Sequence, residues 1–252
     1  MSPNSMINLK GKKALITGGS RGIGKAIAVK LSEAGCDVAI NYFRNKKAAD
    51  ETAKLFKGKF LLLKGNVAEE KDVNTMFETI QKEWGNLDIL VSNAASGVLK
   101  PPMELTLHHW HWTLDINSWA LISLTQKALP LMKNGGRIIA ISSLGSIRAI
   151  PNYTLVGASK AALESIVRHL AQDLAPKKIH VNAISAGVVD TDALKHFPNR
   201  EELLKNSEKR TPAGRLIEPE DVARVALFLC SDLSDMIHGQ TIIVDGGYSI
   251  VA

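Results

Sequence analysis

Short apolar, β-branched runs alternate with longer amphipathic stretches along almost the whole chain, and this alternation constrains the fold more than any other feature. The runs expected as strands are Lys13–Thr17, Asp37–Asn41, Phe60–Lys64, Asp88–Ser92, Arg137–Ser142, Ile179–Ile184 and Thr241–Val244. Between them lie stretches of helical spacing, at Gly22–Ala34, Lys46–Lys57, Glu70–Trp84, Asp115–Met132, Tyr153–Leu174 and Glu220–Cys230. Strands alternating with helices of this length form right-handed βαβ units, so the expected fold class is α/β. A seven-stranded parallel sheet would then be doubly wound, with helices on both faces. Punctuation agrees: Pro219-Glu220-Asp221 suits a first helical turn, and Gly35, Gly58 and Gly85 stand where left-handed caps are wanted. No linker composition interrupts residues 1–252, so one domain is expected. Only the polar segment 190–215 departs from the rhythm, and loops after strands build the ligand sites of such sheets. It is expected to be a substrate lid.

The first chemical motif is Thr17-Gly18-Gly19-Ser20-Arg21-Gly22-Ile23-Gly24, which follows the first strand and opens a helix. Glycines there let the backbone turn sharply and approach a pyrophosphate, whose charge sits on free N–H groups of the helix N-terminus. A lone glycine pattern also suits an ordinary tight turn, but here the strand and helix the motif requires are both present. A dinucleotide-binding Rossmann domain is the expectation. An NAD site would end the second strand in Asp or Glu, whereas this chain continues Asn41-Tyr42-Phe43-Arg44-Asn45. Arg21 in the glycine loop and Arg44 just past the second strand, with no acid at that strand's end, suit a 2′-phosphate, because a planar guanidinium pairs bidentately with phosphate oxygens. The expected cofactor is NADPH.

Composition excludes several classes. The chain carries 31 Lys+Arg against 25 Asp+Glu, a formal net charge of +6, yet the basic residues are interleaved and no aromatic-plus-basic ladder suggests nucleic acid. No stretch approaches the ~18 apolar residues of a membrane span, and Met1 to Lys13 has no apolar core of a secretory signal. Two cysteines, Cys36 and Cys230, make no disulfide framework, so a cytoplasmic protein is expected. The run His108-His109-Trp110-His111-Trp112 tempts a metal reading, but no cysteine or acid cluster completes a ligand set. A helix surface with packed tryptophans is the expectation.

At this point the chain resembles the classical short-chain dehydrogenase/reductases over essentially its whole length. The glycine motif, Asn66-Val67, Ser92-Asn93-Ala94-Ala95, Asn117, Ile141-Ser142-Ser143 and Val244-Asp245-Gly246-Gly247 all stand in family positions. Departures are mild at Asn66, Ala94-Ala95 and Ala186-Gly187. One is not mild. The family pairs Tyr-x-x-x-Lys, and here Lys160 is preceded at four residues by Val156, which donates no proton. Tyr153 lies seven residues before Lys160, and seven helical residues turn through ~700°, close to two full turns. That spacing resembles the NADPH-dependent enoyl-acyl carrier protein reductases of type III, as do the segments 92–99, 142–148 and 190–200.

The resemblance implies reduction of the C2–C3 double bond of trans-2-enoyl thioesters, carried by acyl carrier protein or coenzyme A, in fatty-acid elongation. Tyr153 would donate to the developing enolate oxygen. Lys160 would lower the tyrosine pKa and hold the nicotinamide ribose, and Ser143 and Asn117 would complete the catalytic set. The resemblance further implies cofactor contacts from Gly18, Ser20, Arg21, Gly22, Ile23, Gly24, Arg44, Asn66, Val67, Asn93, Ala94, Gly187, Val189 and Thr191, besides Tyr153 and Lys160, and a homotetramer. Alternatives are a 3-oxoacyl-acyl carrier protein or general carbonyl reductase, and a catalytically silent dinucleotide-binding sensor.

Overall fold

The computed structural model describes residues 7–190 and 200–251. Seven strands, β1 (Lys13–Ile16), β2 (Asp37–Tyr42), β3 (Phe60–Lys64), β4 (Ile89–Ser92), β5 (Gly136–Ser143), β6 (Ile179–Ala186) and β7 (Thr241–Val244), form one sheet in the order β3-β2-β1-β4-β5-β6-β7. Every neighbouring pair is parallel. The chain winds outward from β1 to β3, then returns to pair β4 with β1, so the direction of winding switches between β1 and β4. Ligands bind at such a switch, beyond the carboxyl ends of the strands.

The helices are α1 (Gly22–Glu33), α2 (Lys46–Ala53), α3 (Glu70–Trp84), α4 (Leu107–Leu114), α5 (Ala120–Ala128), α6 (Thr154–Leu174), α7 (Arg200–Arg210) and α8 (Pro219–Leu229). Alternate strand residues face opposite layers, as the pleat dictates. Leu15, Ala39, Leu90, Ile138, Ala140 and Val181 pack with residues of α3, α5 and α6, while Ala14, Ile16, Val38, Ile40, Ile139 and Ile184 pack with α1 and α8. Strands buried on both faces must be apolar at successive positions, which is why these runs read as nearly continuous hydrophobic segments.

The expected elements are all present, with differences at their ends. Helix α2 stops at Ala53 rather than Lys57. Gly35 and Gly85 adopt left-handed backbone, at φ 94° and 73°. Gly58 does not; a Cβ there would lie a tight 3.0 Å from Asp37 Oδ1. The stretch expected as one helix from Asp115 to Met132 begins with a π turn, Asp115–Trp119, followed by α5 and a 3₁₀ turn, Leu129–Leu131. Helix α4 precedes it and agrees with the helix surface expected at residues 108–112, but Trp110 and Trp112 are exposed rather than packed. Only Thr113 of α4 is buried, so no apolar stripe sets the helix's bounds. Its cap is a box in which His109 stands where Glu or Gln is usual: Thr106 N–H donates to His109 Nδ1 at 3.2 Å and His109 N–H to Thr106 Oγ1 at 3.3 Å. Among the described residues, no helix is long and apolar enough to cross a membrane.

Candidate active site

The glycine loop between β1 and α1 is shaped by contacts that leave no room for side chains. Gly18 and Gly22 have φ of 63° and 54°, the region glycine alone enters freely. A Cβ on Gly24 would stand 2.4 Å from both Gly18 O and Asn93 Nδ2. Asn93 braces the loop from the end of β4, donating from Nδ2 to Thr17 O at 2.9 Å and to Gly18 O at 3.2 Å. The Thr17 hydroxyl accepts in turn from the backbone N–H groups of Asn93 and Ala94, each at 3.0 Å. Thr52 of α2 donates to Ser20 O at 3.0 Å, fastening the loop's outer side. A bare, glycine-lined backbone thus opens onto the N-terminus of α1, with Ile23 in its first turn. This cradle fits a nucleotide diphosphate, where any Cβ-bearing residue at 18 or 24 would collide.

Arg21 caps α1 in extended conformation and is exposed. Arg44, also exposed, follows β2, and its guanidinium lies 4.9 Å from the Phe43 ring centre. Asn66 and Val67 follow β3. Asn66 N–H donates to Asp72 Oδ2 at 2.7 Å and its Oδ1 accepts from Ala68 N–H at 3.2 Å, fixing the turn beside the loop. On the far side, Gly187 N–H donates to Val244 O at 2.9 Å, and Val189 is buried in a bridge with Ile217. Thr191 lies outside the described residues, as do the rest of residues 191–199 of the expected lid. The described remainder of that segment holds α7, anchored at its beginning by Arg200 Nη2 donating to Asp190 Oδ1 at 2.6 Å.

The end of β5 meets the start of α6 at the expected catalytic group. Tyr153 is not on a helical face; it is the N-cap, so the two-turn argument for its alignment with Lys160 does not describe it. Asn152, at φ 61°, turns the chain into this cap. The tyrosine ring packs over Gly145, where a Cβ would lie 2.5 Å from Cε1. Its hydroxyl is 3.4 Å from Ser143 Oγ. Burial raises the phenol above its ordinary 10.0, and the Ser143 hydrogen bond pulls only partly back. The lowering expected from Lys160 is therefore not found in this state of the site. Lys160 is buried, donates from Nζ to Ile141 O at 2.7 Å, and is itself lowered from 10.5 to about 8 by desolvation.

Val156 occupies the position where the family's tyrosine is usual. It is buried, and its Cγ2 would touch a Cβ on Gly97 at 2.3 Å, so the loop after β4 fits closely over it. Asn117, in the π turn, is 3% exposed and spends its amide on the same loop. Its Oδ1 accepts from Ser96 N–H at 2.9 Å, and its Nδ2 donates to Ser96 O at 2.8 Å and to Ser159 Oγ at 2.9 Å. It is a clamp between the β4 loop and α6. Thr17, Ser96 and Ser159, which complete these braces, are not among the expected catalytic or cofactor-contacting residues. Only their adjacency to motif residues signalled them, since their partners are far along the chain.

A cavity of 280 Å³ abuts the Tyr153 ring, lined by Gly145, Arg148, Ile150, Gly157 and Ala161 among others. Another, of 440 Å³, lies at the opposite end of the sheet, against the first residues of β1, β2 and β3, and holds none of the site residues. Among the described residues no group of His, Cys, Asp or Glu is placed to hold a metal ion. In the histidine-tryptophan run, Trp112 Nε1 donates to Ser96 Oγ at 2.8 Å. Cys36 and Cys230 are buried free thiols, the latter pushed up to about 12 by burial, which makes them poor nucleophiles.

A sequence model of the family described as enoyl-(acyl carrier protein) reductase matches residues 18–249. The chain is 39% identical to a 1-cyclohexenylcarbonyl-CoA reductase of Streptomyces collinus, over 95% of this chain and 87% of that protein. It is 36% identical to an NADH-dependent enoyl-[acyl-carrier-protein] reductase of Synechocystis, over 98% of this chain and 99% of the relative. It is 38% identical to a hydroxynaphthalene reductase-like protein of Metarhizium guizhouense, over 95% and 96% of the two chains. Among solved structures, the Bacillus cereus enoyl-acyl carrier protein reductase with NADP+ and indole naphthyridinone superposes with a TM-score of 0.93 at 32% identity, covering 98% of this chain and all of that one.

Proposed function

The chain belongs to the short-chain dehydrogenase/reductase family and is an NAD(P)-dependent reductase; from that premise we propose that it reduces the C2–C3 double bond of trans-2-enoyl thioesters, using NADPH. The observation that carries this reading is the displaced pair. Tyr153 caps α6 seven residues before Lys160, its hydroxyl beside Ser143, while Val156 closes the site four residues before the lysine. Relatives named as enoyl- and cyclohexenylcarbonyl-thioester reductases support it.

A reduced nicotinamide, when bound, supplies the hydride that adds to the β-carbon. The residues do the rest. The glycine loop and the N-terminus of α1 take the diphosphate. Arg21 and Arg44 take the 2′-phosphate, and no acid at the end of β2 repels it. Lys160 would hold the ribose hydroxyls through its ammonium. As negative charge grows on the thioester oxygen, the Tyr153 hydroxyl donates to it, and a donor already aimed at developing charge lowers the barrier without reorganising. A phenol held protonated by burial is well suited to donate at neutral pH. Solvent then protonates the α-carbon to complete the saturated thioester. Ser143 orients the phenol, and Asn117 holds the wall opposite.

We take acyl carrier protein as the natural carrier, coenzyme A thioesters as the smaller alternative, and a cytoplasmic homotetramer in fatty-acid elongation as the working form. The deciding experiment follows NADPH absorbance with crotonyl and longer enoyl thioesters beside acetoacetyl thioesters. Turnover on the enoyl series is expected. Turnover on acetoacetyl substrates alone makes it a 3-oxoacyl reductase, and cofactor binding without turnover on either makes it a sensor.

A further inference from the structure

Three consecutive residues at the end of β5 are each tied to α6 or its cap. The Ile141 carbonyl accepts from Lys160 Nζ at 2.7 Å, the Ser142 hydroxyl donates to Glu164 Oε1 at 2.5 Å, and the Ser143 hydroxyl lies 3.4 Å from that of Tyr153. Tyr153 and Lys160 are the pair on which the proposed function rests. Glu164 has no part in it so far, and its position is costly. It is 8% exposed and follows Leu163, 1% exposed, on a helix whose inner face continues with Val167, fully buried. Burying a carboxylate in an apolar layer is unfavourable unless its charge is answered. An apolar residue would pack the same site more cheaply. What only an acid provides there is negative charge one turn along from Lys160, since residues at i and i+4 lie on one face of a helix with Cβ atoms ~6 Å apart.

We propose that Glu164 is a positioning residue of this site: tethered by Ser142, it fastens α6 to the end of β5 and supplies the buried negative charge against which the Lys160 ammonium is held. Desolvation strips Lys160 of its proton preference, and Glu164 is the group that works against that loss. The elements packed against α6 also carry His108, His109 and His111 on α4, Asp115 on the π turn, Lys127 on α5, Arg137 and His180 at the starts of β5 and β6, and Lys177 on the 3₁₀ turn after α6, besides Tyr153 at its cap. The charge that opposes the loss at Lys160 is that of Glu164. With the carboxylate neutralised, Lys160 should lose its proton at lower pH, and with it the charge proposed to hold the ribose hydroxyls.

The catalytic consequence rests on the proposed function, but the charge relation does not, so it is tested without substrate. Lysine Cε atoms labelled with ¹³C are followed by NMR against pH in the cofactor-free protein, with the Lys160 signal assigned from Lys160→Arg. Glu164→Gln keeps size and an acceptor for Ser142 while removing the charge. The Lys160 midpoint, about 8 in the parent, is expected to fall by ~0.5 unit or more in Glu164→Gln and to recover in Glu164→Asp. The alkaline limb of NADPH affinity, read by fluorescence, should move the same way. A merely structural glutamate would lower the melting temperature and leave both midpoints in place, and that result overturns the proposal. Should Glu164→Gln not fold, Glu164→Met, an apolar chain of similar length at the same place, removes the charge and carries the test with the same downward shift expected and the same overturning result. Absence of enoyl turnover in the parent would sink the proposed function and leave this titration to stand or fall alone.

Discussion

At the scale of single residues, the site depends on how burial treats two ionisable side chains. Tyr153 is kept protonated by desolvation, the state in which a phenol can donate a hydrogen bond. Tyr153→Phe should lower enoyl turnover by ~10²-fold or more, the range for removing one oxyanion donor, with the NADPH dissociation constant nearly unchanged. Near-normal turnover in a single-turnover assay would refute that role. Lys160 runs the other way on stability. Its folded value is about 8 against an ordinary 10.5, so folding expels a proton between those limits. The unfolded chain binds more protons in that window, and stability therefore rises with pH from about 8 to 10.5. The full increment is about 3 kcal/mol. The buried thiols Cys36 and Cys230 are raised from 9.0 and oppose this above that pH, so the lysine's share is read as a difference: in chemical denaturation of the cofactor-free protein, the stability of the parent relative to Lys160→Met should grow with pH across the window. The two arginines at the proposed 2′-phosphate site are judged by selectivity instead. Arg21→Ala and Arg44→Ala should each raise the NADPH Michaelis constant several-fold and the NADH constant little, because only the phosphate contact is lost. Equal effects on both nucleotides would place neither residue there.

Between elements, the decisive fit is the loop after β4 against α6. Asn117 clamps Ser96 from both sides and reaches Ser159, and Gly97 accommodates Val156 so closely that a Cβ would clash. The π turn that presents Asn117 is the kind of helix irregularity often retained at functional sites. A tyrosine at 156 has no space unless this loop moves. Val156→Tyr should therefore destabilise the fold by about 1–3 kcal/mol through overpacking and create no acetoacetyl reductase. A stable variant that reduces acetoacetyl thioesters would show that the loop yields and that spacing alone separates the two chemistries.

For the whole molecule, the sheet order gathers the carboxyl ends of β1, β4, β5 and β6 on one side, and the C-terminal turn ties that side together. Arg148 Nη2 donates to Ser249 O, Ala213 N–H to Gly246 O at 3.0 Å, and Arg210 lies 5.1 Å from the Tyr248 ring centre. Helix α7 is thus linked through residues 245–249 to the loop that carries Tyr153. Lys205, Lys209 and Arg210 are exposed on α7, and an acidic carrier would be steered toward them. Reversing these three charges should slow turnover of carrier-linked substrate several-fold at low salt, mainly through association, and spare coenzyme A thioesters. Salt should shrink the difference, since exposed charges are screened beyond ~10 Å at 0.1 M. Equal loss on both substrates, or none, would make the helix a solvated surface.

Residue order alone determined the layers of this protein. Strands buried on both faces must read as continuous apolar runs, helices between them as stripes, and a diphosphate cradle as glycines between the two, because each is a local demand of backbone geometry. The bounds of α4, and the exposure of its tryptophans, escaped because it buries one side chain, and a helix without an apolar stripe has no period to read. The exact setting of the site was likewise a tertiary decision. Tyr153 is a cap rather than a helical residue because Asn152 turns the chain there and Gly145 receives its ring. Asn117 became a clamp because Ser96 and Ser159, 21 and 42 residues away, close on it. Glu164 faces the layer between α6 and β5, where one helical turn and one strand end bring it to Ser142. Desolvation and hydrogen bonding depend on everything within a few ångströms, and only the folded chain decides which distant residues those are.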